Sequence, residues 1–132
     1  MTPHVRLVRE LLVALHRMPG TDFEPLHQTK SGRDDDGNYI PPGGMCQGAS
    51  DLIGCVFGHR VDIEVKVGRD KQTPAQLLWQ ARMRACGGVC EVIRSVAEAR
   101  ALVSKLTAEM ETLNPTLVAV VRHNHRGRKD HL

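Results

Sequence analysis

Aromatic side chains are nearly missing: two Phe, one Trp and one Tyr make up 3% of 132 residues. Their scarcity excludes the stacking platform with which many proteins grip single-stranded nucleic acid. It also leaves the core to Val, Leu, Ile and Ala. No apolar run approaches the roughly 18 residues of a membrane helix, so no membrane partner is expected. No secretory leader is legible, because Met1-Thr2-Pro3-His4 leads straight into an amphipathic pattern, and a cytoplasmic location is expected. The glycine-rich stretch at 43–48 has no Gly-Lys-Ser/Thr after it and opens no helix, which excludes a phosphate-binding P-loop. A strong charge bias is lacking too: the net charge of +3 fits a polyanionic partner without demanding one.

What is present fits one compact domain with an ordinary core, since 41% of the residues are apolar. The four cysteines, Cys46, Cys55, Cys86 and Cys90, read as reduced thiols. Cys86 and Cys90 have the spacing of half a zinc site. However, Gly87-Gly88 between them looks like a helix end, and Cys55 lies in an apolar strand. Positive charge gathers at the end of the chain, in Arg122, His123, His125, Arg126, Arg128, Lys129 and His131. Such a tail either holds phosphate non-specifically or is simply solvated.

Val5, Val8, Leu12 and Leu15 recur at helical spacing with Arg6, Arg9, Glu10 and Arg17 opposite, which predicts an amphipathic helix closed by Pro19-Gly20. Residues 20–50 read as a long connection, with an acidic run Asp34-Asp35-Asp36 and a Pro41-Pro42-Gly43-Gly44 breaker. The acidic run is either a cation ligand or, as the flanking glycine favours, an exposed turn. From Asp51 to Val67 the pattern becomes β. Asp51 to Phe57 and Val61 to Val67 form a hairpin, with a type II′ turn expected at Gly58-His59. Thr73 and Pro74 open a helix that stops at Gly87-Gly88. Val89 to Arg94 is a short strand, and Ser95 with Glu98 caps a helix running to about Leu113. Pro115 stops it, and Leu117 to Val121 is expected as a last strand before the tail. These elements predict an α/β class: a mixed sheet flanked by helices, with a domain at 1–114 and a strand and basic tail at 115–132.

Alternation sorts the hairpin into two faces. Val61, Ile63 and Val65 point one way with Leu52 and Val56, while Asp62, Glu64 and Lys66 point the other. The expected turn would pair Ile53 with Glu64, Leu52 with Val65 and Asp51 with Lys66. Asp51 then lies diagonal to Glu64, within reach of one cation. Phosphodiester hydrolysis needs what these types supply. Hard carboxylate oxygens hold Mg²⁺ or Mn²⁺, which binds phosphate and acidifies water, and a fixed lysine orients water or offsets phosphate charge. The competing explanation is a cross-strand salt bridge on a solvated face, worth little. Asp62, nearer the turn, is expected to be solvated.

Four blocks in order carry a resemblance: Gly48-Ala-Ser-Asp51-Leu-Ile-Gly54, Ile63-Glu64-Val-Lys66, Thr73-Pro-Ala-Gln76 and Ala85-Cys-Gly-Gly88. Together they resemble the VRR-NUC domain, the virus-type replication–repair branch of the PD-(D/E)xK nucleases, from the first helix to about residue 100. The resemblance implies a restriction-endonuclease-like mixed β-sheet flanked by α-helices. It implies Asp51, Glu64 and the Val65 carbonyl as metal ligands for Mg²⁺ or Mn²⁺, and Lys66 as the catalytic lysine. Gln76 falls on the family's glutamine, although Thr73-Pro-Ala-Gln76 is equally a capping box and both roles can hold. Relatives carry an acid on the first helix; Glu10 is the candidate, facing either a cleft or water. Ser50 stands where many relatives have proline, a departure that alters no ligand. The implied activity is cleavage of branched DNA, such as four-way junctions, by a homodimer. The alternatives are a DNA-binding module that keeps the fold without catalysis, and a zinc-bound or thiol-regulated protein using the cysteines.

Overall fold

A computed structural model of the chain describes residues 1–26, 32–40 and 47–129. Its elements are α1 (Pro3–His16), β1 (Thr21–Pro25), β2 (Gly32–Arg33), β3 (Tyr39–Ile40), β4 (Leu52–Val56), β5 (His59–Val65), α2 (Pro74–Ala85), β6 (Val89–Ile93), α3 (Val96–Leu113) and α4 (Pro115–Lys129). Four strands form one mixed sheet in the order β1-β4-β5-β6. The first two neighbouring pairs are antiparallel, and β5-β6 is parallel across the α2 connection. The result is a mixed α/β fold with a four-stranded sheet.

The period-2 pattern of β5 determines the layers. Val61, Ile63 and Val65 are fully buried in a core shared with Leu11 and Leu15 of α1, Leu102, Val103 and Leu106 of α3, and Val118 of α4. Burying each such aliphatic side chain stabilises by roughly 1.5–3 kcal/mol, so this face holds the fold together. The opposite face of β5 lies under α2 and carries polar residues instead. No helix among the described residues is long and apolar enough to cross a membrane.

Two pieces of the chain differ from the sequence reading near the hairpin. The turn is Phe57-Gly58, not Gly58-His59, with φ of +47° and +79°. Positive φ at both central residues is the type I′ requirement. Val56 therefore faces His59, Ile53 faces Asp62 and Leu52 faces Ile63, two places from the expected pairing. A slip of two keeps every side chain on its face, so the polar and apolar faces stand as expected. Phe57 explains the slip. Its ring is 3% exposed in the core, and its N–H donates to the Gly20 carbonyl at 2.7 Å. Burial of a Phe, about 1.5–3 kcal/mol, outweighs the roughly 1–2 kcal/mol cost of left-handed backbone at a non-glycine residue. Thr21–Pro25, expected as loop, is strand β1, paired along the outer edge of β4.

The end of the chain differs as well. Leu117 to Val121 is helical, inside α4. Asn114 Oδ1 accepts the Leu117 N–H at 3.1 Å and Pro115 follows, so Asn-Pro both ends α3 and starts α4. Val118 and Val121 lie one turn apart on the core-facing side, and Arg122 pairs with Glu111 of α3. The acidic run is an exposed turn between β2 and β3, in which Asp34 accepts the N–H groups of Asp36 and Asn38 at 3.0 and 2.8 Å. The breaker at Pro41-Pro42-Gly43-Gly44, together with Cys46 and His131, lies outside the described residues.

Candidate active site

Asp51 is placed by the three residues before it. Gly48 has φ +77°, and a side chain there would put Cβ 2.1 Å from the Ala75 carbonyl oxygen, so only glycine lets this loop press against the first turn of α2. Ala49 and Ser50 are buried behind it. Asp51 then stands at the mouth of β4, its carbonyl accepting Leu26 N–H at 2.9 Å. Its Oδ2 accepts the Val65 N–H at 2.8 Å, which ties the carboxylate to the end of β5.

Glu64 and Lys66 arrive from the polar face of β5, and α2 closes over them. Thr73 caps α2, and Gln76 completes a full capping box. Gln76 also reaches the strand. Its Nε2 donates to Glu64 Oε1 at 2.8 Å, while its Oε1 accepts from Lys66 Nζ at 2.9 Å and from Thr73 N–H at 2.8 Å. Lys66 Nζ lies 3.4 Å from Glu64 Oε1. Asp51, Glu64, Val65, Lys66 and Gln76 are thus brought together, and the capping and site positions of Gln76 are one and the same.

Burial decides between a structural pair and something costlier. Glu64 is 4% exposed and Lys66 8%, so a solvated cross-strand salt bridge does not describe them. Charged groups taken out of water lose several kcal/mol of hydration, and a buried pair rarely recovers more than that loss. Burial pushes the Glu64 carboxyl up to about 7, with the neighbouring Asp51 carboxylate adding to the rise and Lys66 opposing it. A fold that needed only stability would place apolar side chains here. Strained titration of clustered acids is characteristic of functional sites.

Asp62 stands elsewhere than expected, Glu10 takes the solvent-facing one of its two alternatives, and α1 brings in a residue the sequence reading did not name. Asp62 is not solvated: it is fully buried, accepting from Arg60 Nε and Trp79 Nε1, each at 2.9 Å. The Trp79 indole, carried by α2, needs an acceptor once it covers the sheet, and Asp62 is the group beneath it. Glu10 is exposed and lines a shallow groove with Arg17, which caps the end of α1, and Val96 and Arg100 of α3. It is not brought to Asp51. The residue of α1 that does reach the site is His4, whose Nε2 lies 3.3 Å from Asp51 Oδ2 and 3.1 Å from the Val65 carbonyl oxygen. The signal for it was in the spacing: His4 precedes Val8 by one turn on the inward stripe of the helix.

The donor set has the chemistry of a hard cation site: two carboxylates and a backbone carbonyl, with a lysine alongside. Among the described residues no three His, Cys, Asp or Glu side chains are gathered so as to hold an ion by themselves, so the Val65 carbonyl and water would have to complete its shell. Among the described residues Cys55, Cys86 and Cys90 are free thiols, with Cys86 exposed after α2 and Cys90 buried in β6, where burial raises its thiol pKa and keeps it protonated. No protein-family model matches the chain, and no curated protein is significantly similar to it.

Proposed function

We propose that the chain is a metal-dependent DNA endonuclease of the PD-(D/E)xK type, with a restriction-endonuclease-like fold and membership of the VRR-NUC family. The observation that supports this reading best is the buried carboxylate–lysine–glutamine cluster at the end of β5. Its polar groups are costly to bury and are joined to one another through Gln76, and they lie beside Asp51, which is still partly open to solvent. Asp51, Glu64 and the Val65 carbonyl would hold Mg²⁺ or Mn²⁺. When bound, such a cation supplies charge for the scissile phosphate and a more acidic water.

The residues of the chain then divide the remaining tasks. Lys66, its ammonium fixed by Gln76 Oε1, presents a positive charge where the phosphate's charge develops and can orient the attacking water. Gln76 holds Lys66 and Glu64 in fixed relation, so neither must reorganise during the reaction. The exposed Arg126 of α4 extends positive charge toward a polyanion. Branched DNA cut by a homodimer in the cytoplasm of a bacterial host is the substrate and setting that go with the family reading.

The decisive experiment is a cleavage panel of four-way junction, flap, nicked and linear DNA with Mg²⁺ or Mn²⁺, run beside Asp51→Ala and Lys66→Ala. Wild type is expected to cut at least one branched substrate, and both variants to lose cleavage at least roughly a hundredfold. A wild-type chain that binds junctions and cuts none would be a binding module instead. Variants as active as wild type would remove the site.

A further inference from the structure

We propose that His4 is a nitrogen ligand of this same cation site and that it tilts the site toward Mn²⁺ over Mg²⁺. The inference rests on the metal-centre reading above and adds a residue that the reading did not contain. Since no three His, Cys, Asp or Glu side chains among the described residues are gathered to hold an ion alone, His4 would share it chiefly with Asp51 and the Val65 carbonyl. Its basis is geometric. His4 Nε2 contacts two atoms, Asp51 Oδ2 at 3.3 Å and the Val65 carbonyl oxygen at 3.1 Å, and both are oxygens that the site would offer to an ion. Adjacent corners of an octahedral shell with bonds of about 2.1–2.2 Å lie about 3.0–3.1 Å apart. The imidazole nitrogen therefore stands from each of these oxygens at nearly the spacing of neighbouring ligands on one metal.

Both partners of Nε2 are oxygens, which the tautomer with its hydrogen on Nε2 satisfies as a donor. As a ligand, His4 would offer the Nε2 lone pair, with the ring hydrogen moved to Nδ1. The backbone of His4 is already fixed for the purpose. Thr2 caps α1 by accepting the Val5 N–H at 3.2 Å, and Pro3 occupies the first turn, so the imidazole projects from a defined helix start. Glu10, the acid that α1 offers, is six residues farther on, about 9 Å along the axis and 240° around it, and cannot take this place. Donor type then sets preference. Carboxylate, carbonyl and water oxygens suit Mg²⁺ and Mn²⁺ alike, whereas an imidazole nitrogen favours the transition metal.

The test uses the full chain without DNA. Mn²⁺ binding is followed by the loss of the free-ion electron paramagnetic resonance signal, Mg²⁺ binding by calorimetry, and the bound Mn²⁺ by pulsed resonance for coupling to an imidazole nitrogen. The variants are His4→Ala, His4→Glu and Asp51→Asn, with circular dichroism to confirm folding. Wild type should bind Mn²⁺ at least roughly tenfold more tightly than Mg²⁺ and show the nitrogen coupling. His4→Ala should lose the coupling and most of the Mn²⁺ advantage, with a smaller loss of Mg²⁺ affinity than of Mn²⁺ affinity. His4→Glu should bind both ions with no nitrogen coupling. Wild-type Mn²⁺ without nitrogen coupling would overturn the proposal. So would tighter binding of both ions by His4→Ala, because the imidazole would then merely occupy the ion's place. Asp51→Asn separates the two levels: if it abolishes ion binding while the nitrogen coupling was never present, only His4 is wrong. If it binds as wild type does, or wild type binds neither ion, the metal centre itself is wrong.

Discussion

Gln76 Nε2 donates to Glu64 Oε1 across 2.8 Å, linking the first turn of α2 to the polar face of β5. The other end of the same amide receives Lys66 Nζ and the Thr73 N–H, so one side chain closes a helix cap and fixes a lysine. These roles have different signatures. Gln76→Ala should cost about 1 kcal/mol of stability in urea titrations through the lost box. It should also lower cleavage at least roughly tenfold, because Lys66 and Glu64 lose their fixed relation. A stability loss with unchanged kcat would reduce Gln76 to a cap.

Glu64 makes the apo protein respond to pH. Its carboxyl is raised from the ordinary 4.5 to about 7, chiefly by burial and then by Asp51. Between those values the folded state binds the proton and the unfolded state does not, so unfolding releases a proton and stability falls as pH rises. In chelator, the melting temperature should decline from pH 5 to pH 8, and Glu64→Gln should flatten that decline. The same proton must leave before the carboxylate can hold a cation. Calorimetry near pH 6.5 in buffers of different ionisation enthalpy should therefore report proton release on Mn²⁺ binding. A wild-type melting curve as flat as that of Glu64→Gln would refute the coupling.

Lys66→Met separates stability from activity. The lysine is 8% exposed, and its stem can be replaced by an apolar chain of similar length. Removing one member of a buried pair is usually expensive, about 3–5 kcal/mol, because a bare charge stays behind. Here Glu64 can take up a proton near pH 7 and avoid that cost. At pH 6 Lys66→Met should thus unfold within about 1 kcal/mol of wild type, or later, while cleavage falls at least roughly a hundredfold. A variant that melts far earlier would show Lys66 to be chiefly structural.

What was legible in the sequence followed periodicity. The clean alternation from Val61 to Lys66 assigned both faces of β5 correctly even though the turn was misplaced, because a slip of two leaves faces unchanged. Thr73-Pro74 and Ser95 marked helix starts through local capping chemistry, which needs no tertiary context. The failures came where distant groups decide. Phe57 adopts left-handed backbone because the core receives its ring, and no local signal in Phe57-Gly58-His59 announces that. Asp62 looked solvated because the Trp79 indole that covers it is supplied by α2, seventeen residues later. Leu117 to Val121 contains as many β-branched residues as a strand, yet Asn114-Pro115 is a helix start and Val118 pairs with Val121 one turn on. His4 went unnoticed because its partner oxygens, on Asp51 and Val65, are 47 and 61 residues away.

Asp62 shares its strand face with Glu64, yet it belongs to the scaffold. Its oxygens accept Arg60 Nε and Trp79 Nε1, and neither Lys66 nor Gln76 reaches it with a hydrogen bond among the described residues. Trp79→Phe keeps most of the ring and removes one donor, so the buried carboxylate keeps only its contacts with Arg60. A charged buried hydrogen bond is worth about 1.5–3 kcal/mol, and the variant should lose about that much in urea titrations. Asp62→Asn keeps the shape and one acceptor oxygen but weakens the contact with Arg60, and it should cost a similar amount. Cleavage per folded molecule should stay within about twofold of wild type for both, since α2 still caps at Thr73 and still delivers Gln76. If Asp62→Asn instead folds as stably as wild type and loses cleavage, the carboxylate works with Asp51 and Glu64, and the boundary drawn between scaffold and site along β5 is in the wrong place.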